Sequence, residues 1–280
     1  MRPSPASERS LPEYDHQLSS FHRAFESELR AIVNALPLRS GMRVLDLACG
    51  DGFYTRRIAE RLGSRGFVTG ADINRAYLSE ASEDTSPKSG RAPIDFVIGS
   101  VDRLPFPDDT FDLVWCAQSL YTLPDPVGAI RHMARVLRPG GLVAVLENDT
   151  LHQLFLPWPV SLELPLRAAE LRSFLEGSGN ASKFYVGRRL PAILAAAGLE
   201  PLRMTTHAFD RQAPLGDAEQ QLLQSYLEAL AERVAPYLDT ALLQDLRRLV
   251  DSRSPQHFLR QPHLTMTWLS VLAYGRKESV

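Results

Sequence analysis

An α/β fold is predicted, with a seven-stranded mixed sheet, helices on both faces and helical insertions that form a lid. Three features predict it. Short apolar runs alternate with amphipathic stretches from Met42 to Glu147. A Gly50-Asp51-Gly52 turn joins the first run to the first amphipathic stretch. Past Glu147 the alternation is interrupted twice by helical segments that bring no strand with them. Such alternation calls for a doubly wound, largely parallel sheet whose ligands gather at the carboxyl ends of its strands.

Residues 1–13 are polar and rich in Pro and Ser and read as flexible, while Phe21, Phe25, Leu29, Ile32 and Val33 follow helical spacing and predict one N-terminal helix. Pro37 and Gly41 mark the turn into the first strand, Met42 to Leu47. Tyr54, Ile58 and Leu62 recur every four residues and Gly63 caps that helix. Gly66 to Asp72 is the second strand, followed by a helix through Ala76, Tyr77, Leu78 and Ala81 and a polar loop from Asp84 to Arg91. Ile94 to Ile98 and Phe111 to Cys116 are strands three and four, and the Pro-rich Leu104 to Asp109 between them is neither strand nor helix. Asp125-Pro126 opens a helix with an N-cap acid and a proline at its first position. Ile130, Met133 and Leu137 are its inward stripe, Arg138-Pro139-Gly140-Gly141 stops it, and Leu142 to Leu146 is strand five.

Leu151 to Ser178 has no strand candidate and reads as a helical insertion. A helix at Leu190 to Ala197, ended by Gly198, and strand six at Glu200 to His207 restore the pattern. A second insertion, helical from Asp217 to Val250, precedes the last strand, Leu264 to Tyr274. The expected organisation is thus an N-terminal segment 1–40, a ligand-binding core 41–150, a lid insertion 151–186, a core helix and strand 187–210, a second helical insertion 211–260 and a last strand with the C-terminus, 261–280.

The totals narrow the function. The 31 Lys plus Arg against 33 Asp plus Glu give a net charge of −2, so no cationic surplus favours a nucleic-acid partner. No apolar run approaches the roughly 20 residues of a membrane span, and no apolar stretch near Met1 suits a signal peptide. Two cysteines, Cys49 and Cys116, make no disulfide framework and no zinc-type cluster. A cytoplasmic setting, a small-molecule substrate and no metal are expected.

The glycine turn removes side chains where a ligand meets the backbone, and the following helix offers its first amides. Asp72 ends strand two about 20 residues further on, the distance at which an acid reaches a ribose. Its alternative role is to cap the next helix by accepting from the amides of Arg75 or Ala76. Ile73 then either lies against an adenine or is buried in the core. A dinucleotide fingerprint would carry a third glycine where Thr55 stands, which argues against a nicotinamide oxidoreductase.

Four segments, Val44 to Gly52, Gly70 to Asn74, Asp102 to Asp112 and Arg135 to Gly141, together resemble the class I S-adenosylmethionine-dependent methyltransferases, in particular the group acting on small metabolites and natural products. Later matches at Val186 to Pro191 and Ala197 to Leu199 fit the same group. The resemblance implies a Rossmann-like core, S-adenosyl-L-methionine as cofactor and methyl transfer to a small, partly apolar acceptor. By position, Asp46 and the backbone of Ala48 and Gly50, with Gly52 completing the turn, hold the methionine end, and Asp72 holds the ribose. Val101 and either Ser100 or Asp102 meet the adenine, Ser100 standing where the family usually has Asp. Ala48 replaces a frequent Gly. The loop from Gln118 to Pro126 lies beside the methyl, with Gln118 against the cofactor. A catalytically silent cofactor-binding partner or sensor is the alternative implied by the same motifs.

The cofactor's methyl sits on a cationic sulfur, so transfer is an in-line displacement in which the protein aligns the reactants and excludes water. A base is needed only for an acceptor that must lose a proton. His152 and Asp149, in Glu147-Asn148-Asp149-Thr150-Leu151-His152, and Tyr121 are the candidates for handling the acceptor, each with a structural alternative as a cap or core residue. Glu147 is better placed to orient a neighbouring loop than to take a proton. Tyr14, His16, Phe21 and His22 lie where related enzymes fold a helix across the cofactor. Phe155, Trp158, Phe184 and Tyr185 suit an apolar acceptor or anchor the insertion, and Arg188 and Arg189 face either an acidic group or solvent. The acceptor atom and the oligomeric state stay open.

Overall fold

The computed structural model describes residues 15–83, 90–149, 152–177 and 184–279. Tyr14, the segment 1–13 expected to be flexible, Thr150, Leu151 and most of the Asp84 to Arg91 loop lie outside the described residues, as does the side chain of His16.

The elements run α1 (Asp15–Ala24), α2 (Glu26–Asn34), β1 (Arg43–Leu47), α3 (Phe53–Leu62), β2 (Phe67–Asp72), α4 (Arg75–Glu83), β3 (Ile94–Ile98), β4 (Phe111–Ala117), α5 (Pro126–Val136) and β5 (Leu137–Asn148). They continue with β6 (Leu154–Phe155), α6 (Val160–Gly177), α7 (Val186–Ala196), β7 (Glu200–Gln212), α8 (Asp217–Val234), α9 (Thr240–Val250) and β8 (Thr265–Arg276). One mixed sheet holds all the strands, in the order β3-β2-β1-β4-β5-β8, with β6 and β7 both on β8. The first five strands are parallel, and β8 runs antiparallel to β5, β6 and β7.

Three expectations are corrected. The sheet has eight strands, because Leu154 and Phe155 in the first insertion pair with Trp268 and Thr267. The N-terminal helix is two helices broken at Phe25, where the Ala24 carbonyl accepts from Arg211 Nη2 at 2.5 Å. Leu137 is not on the α5 stripe but opens β5 opposite Phe111. The second insertion holds α8 and α9, the latter capped by Asp239 Oδ1 accepting from Leu242 N at 2.9 Å. The Asp125 cap is present, its Oδ1 accepting from Gly128 N at 2.9 Å with Pro126 first in α5.

Each sheet face carries its own apolar layer. One gathers Phe25, Trp115 and Trp268 with Leu residues of α2, α3, α6, α8 and α9; the other gathers Phe111, Ile130 and Met133 with Leu190 and Leu194 of α7. Because β1 lies between β2 and β4, the strand order reverses there, and a crevice opens at the carboxyl ends of β1 and β4. Arg211, at the end of β7, holds the helices beside that crevice. It donates to Glu28 at 2.6 Å, to Glu219 at 3.0 Å and to the Ala24 carbonyl, and stacks over Phe25. Among the described residues, no helix is long and apolar enough to cross a membrane.

Candidate active site

β1 delivers Asp46 to the crevice as a buried side chain. Burial alone would favour the neutral acid. It lifts the carboxyl to about 7, against the opposing hydrogen bond from Thr55, while Asp72 and Asp51 push the same way as burial. Thr55 Oγ1 donates to Asp46 Oδ2 at 2.5 Å, so the residue that occupies the third-glycine position instead fixes the first acid.

The turn after β1 is left-handed at three points, Ala48 (φ +56°), Gly50 (+51°) and Gly52 (+77°). Glycine tolerates this region and alanine is strained in it. A Cβ on Gly52 would stand 3.0 Å from the Phe96 ring and 3.2 Å from Ala81, so a side chain there would push its neighbours aside as well as strain the backbone. At Gly50 the same atom would meet only Leu18 of α1, at 4.0 Å, so space lies open above this backbone, bordered by α1.

Asp72 does not cap α4. Asn74 does, accepting from Ala76 N at 2.8 Å. Asp72 spans the crevice mouth, Oδ2 accepting from Gly50 N at 3.0 Å and Oδ1 from Asn74 N at 2.8 Å. Burial raises its pKa against these backbone donors. Ile73 beside it is 46% exposed, which removes core burial as its role. Past β3, Ser100 and Arg103 close a turn, with Ser100 and Val101 half-buried and Asp102 exposed. Val101 and Tyr121 pack against the α5 and α7 side of the core.

Gln118 follows β4 in a left-handed conformation (φ +52°), its amide donating to the Leu146 carbonyl at 2.7 Å. Its side chain lies beside His22 of α1 and Tyr54 of α3. Gln118 reaches toward both, and the ring nitrogens of His22, the Tyr54 hydroxyl and Gln118 Nε2 are buried without a well-formed hydrogen bond. His22 stacks on Phe53 at 4.0 Å, and burial lowers its pKa to about 4 despite the Asp51 carboxylate nearby. His22, Tyr54 and Gln118 thus form a buried polar cluster between α1, α3 and the end of β4.

At the end of β5, Glu147 is buried, with Oε1 accepting from Ser119 N at 3.1 Å and Leu120 N at 2.6 Å. It orients the loop after Gln118, and its Oε2 has no partner. Arg188, in the first turn of α7, donates from Nε to Asp149 Oδ2 and from Nη2 to His152 Nδ1, both at 2.6 Å. Arginine cannot accept, so His152 Nδ1 is the acceptor and its ring hydrogen sits on Nε2. Phe155 is largely exposed, whereas Trp158 is buried edge-on against Phe258. Cys49 and Cys116 are free and buried, and burial raises both thiols.

The sequence signalled Asp46, Ala48, Gly50 and Asp72 through their motif, and the structure brings them together with Gln118 at the crevice. His22 was legible only as a position on a helix crossing this region. Tyr54 and Thr55 carried no signal for their roles, since each depends on a partner across the turn or across the sheet.

Residues 45–145 match the family model described as a methyltransferase domain. The chain is similar to the ubiquinone/menaquinone biosynthesis C-methyltransferase UbiE of Shewanella sediminis, 39% identical over 131 residues, covering 45% of this chain and 52% of that protein. It spans about half the length of the first curated relatives it matches. Among solved structures it is similar to YcgJ of Bacillus subtilis (TM-score 0.56, 17% identity, 91% of this chain and 100% of that one). It is also similar to the [4+2]-cyclase SpnF (TM-score 0.54, 19% identity, 99% of both chains). At these identities the two structures speak for the fold, a Rossmann-like one, and for nothing finer.

Proposed function

We propose that this chain, whose residues 45–145 match a methyltransferase domain, is of the class I S-adenosylmethionine-dependent type, binds S-adenosyl-L-methionine and transfers its methyl group to a small, partly apolar acceptor. The observation that carries this reading is Asp72. It is held at the crevice by the Gly50 amide, while Asn74 takes over the helix cap, and Ile73 stands exposed beside it.

The donors and acceptors present fit this cofactor. Asp46 and the backbone of Ala48 and Gly50 accept the methionine ammonium, and the neutral His22, Tyr54 and Gln118 offer donors to its carboxylate. Asp72 receives the ribose hydroxyls, Ile73 one adenine face, and Val101 with Ser100 or Asp102 the adenine edge. Bound S-adenosylmethionine supplies an electrophilic methyl on a cationic sulfur. The chain's own part is to align that group, to exclude water beneath α1, and to orient the acceptor. Glu147 fixes the loop that presents Gln118 and Tyr121. Held by Arg188 and Asp149, His152 offers an Nε2 hydrogen, which suits orienting an acceptor oxygen better than removing its proton. The C-methylation named for the Shewanella relative is compatible with such an acceptor. A cytoplasmic setting agrees with two free, buried cysteines.

Calorimetric titration of S-adenosylmethionine, S-adenosylhomocysteine and NADH into the wild type and Asp72→Ala tests this, alongside radiolabelled methyl transfer to a small-molecule extract. Loss of hydrogen bonds to a charged group, about 1.5–3 kcal/mol, predicts about 10- to 100-fold weaker binding by the variant. Unchanged affinity, or preference for NADH, would refute the assignment. Tight binding without transfer to any component would favour a cofactor-binding partner or sensor.

A further inference from the structure

α6 is apolar around most of its circumference, yet only one side of it is covered. Leu162, Leu166, Ala169 and Phe174 are buried against the rest of the lid. On the opposite side Val160, Leu164, Ala168, Leu171 and Leu175 are exposed, with Val160 at 90%, Leu164 at 77% and Leu175 at 61%. Their separations of four, four, three and four residues keep them in one stripe about 80° wide and roughly 22 Å long. Arg167 lies over the ring of Phe155, 43% exposed, and so brings an aromatic side chain to the edge of the stripe.

Three properties decide what covers this stripe. Its flanking charges are already matched within the helix, Arg167 to Glu163 at 3.4 Å and Arg172 to Glu176 at 3.6 Å. With three Glu against two Arg, α6 carries −1, whereas a helix that lies on anionic lipid needs a cationic polar face. The apolar patch, on the order of 500 Å² per copy, is at the upper end of what a monomer ordinarily exposes. Two such patches face to face would bury about 1,000 Å², the lower bound for a specific interface. The seam spacing is that of helices packing side by side.

We propose that the chain self-associates about a two-fold axis through this stripe, α6 of one copy packing on α6 of the other. A two-fold contact needs the same patch on both partners, and a charge-neutral aliphatic stripe meets that condition.

Sedimentation velocity on the full chain at micromolar concentrations tests the proposal. The wild type is expected to form dimers, and Leu164→Glu/Leu175→Glu to raise the dimer dissociation constant at least 10-fold with an unchanged circular dichroism spectrum. In case that variant fails to fold, Ala168→Cys, at the middle of the stripe, is expected to form a disulfide-linked dimer on mild oxidation, since Cys49 and Cys116 are buried. A wild type that stays monomeric, a dimer indifferent to the double substitution, or co-sedimentation of a monomer with phosphatidylcholine/phosphatidylserine vesicles would each overturn the proposal.

Discussion

Replacing Glu147 by Gln separates its two properties, the hydrogen bonds it accepts and the charge it can carry. Burial lifts this carboxyl from 4.5 to about 8, against the opposing amides of Leu120, Ser119 and Tyr121. In the unfolded chain the same group loses its proton near 4.5. Between these values the folded state holds the extra proton, so stability attributable to Glu147 is complete below about pH 4.5 and falls as pH climbs through 8. At about 1.4 kcal/mol per pH unit, the loss across that window is of the order of several kcal/mol. Gln keeps an oxygen for the Ser119 and Leu120 amides and cannot ionise. In urea denaturation, Glu147→Gln is therefore expected to match or fall slightly below the wild type near pH 5 and to exceed it near pH 9. Asp46, lifted to about 7, adds a slope of the same sign to both proteins and cancels in their difference. Glu147→Ala strands the amides that bond this carboxyl and should cost about 1–3 kcal/mol even near pH 5. A wild-type-minus-Gln difference that stays constant from pH 5 to 9 would refute the buried, neutral carboxyl, and equal stability of the Ala and Gln variants near pH 5 would refute the amide bonds as a fixing force.

Ala48→Gly should raise stability by roughly 1 kcal/mol, about 2–4 °C in a thermal melt, because it removes left-handed strain of about 1–2 kcal/mol while loosening the unfolded chain by less. Arg211→Met should cost about 2 kcal/mol through the lost bonds to Glu28, Glu219 and the Ala24 carbonyl. Hydrogen exchange is expected to quicken across residues 17–24 in that variant, with cofactor affinity falling several-fold although Arg211 makes no contact with the crevice residues; protection equal to the wild type would show that α1 is held by apolar packing alone.

The parts of this molecule that were legible in the sequence are those whose cause is local. Apolar runs and the Asp125-Pro126 start each act within a few residues, and most strands and helices from Met42 to Glu147 follow from them, whereas Pro139-Gly140-Gly141, read as the stop of α5, lies inside β5. β6 was not legible because two residues carry no period; its existence depends on β8 offering Thr267 and Trp268 beyond the end of β5. The break at Phe25 was hidden for the same reason, since the apolar spacing is continuous there and the Ala24 carbonyl is claimed by an arginine 187 residues away. The site divides along the same line. Glycines and acids of the motif announce themselves, but Thr55 reads as a missing glycine until its hydroxyl is seen on Asp46, nine residues back across the turn. Arg188 reads as an ordinary surface residue until the end of β5 and the start of α7 are brought side by side, and it then reaches Asp149 and His152, 39 and 36 residues away. That contact also changes the chemistry open to His152. An imidazole next to a sequence-neighbour aspartate suggests a base, whereas one whose Nδ1 is occupied by a guanidinium can take up a proton only by giving up that bond. The tautomer is set by a residue whose influence no local pattern carries.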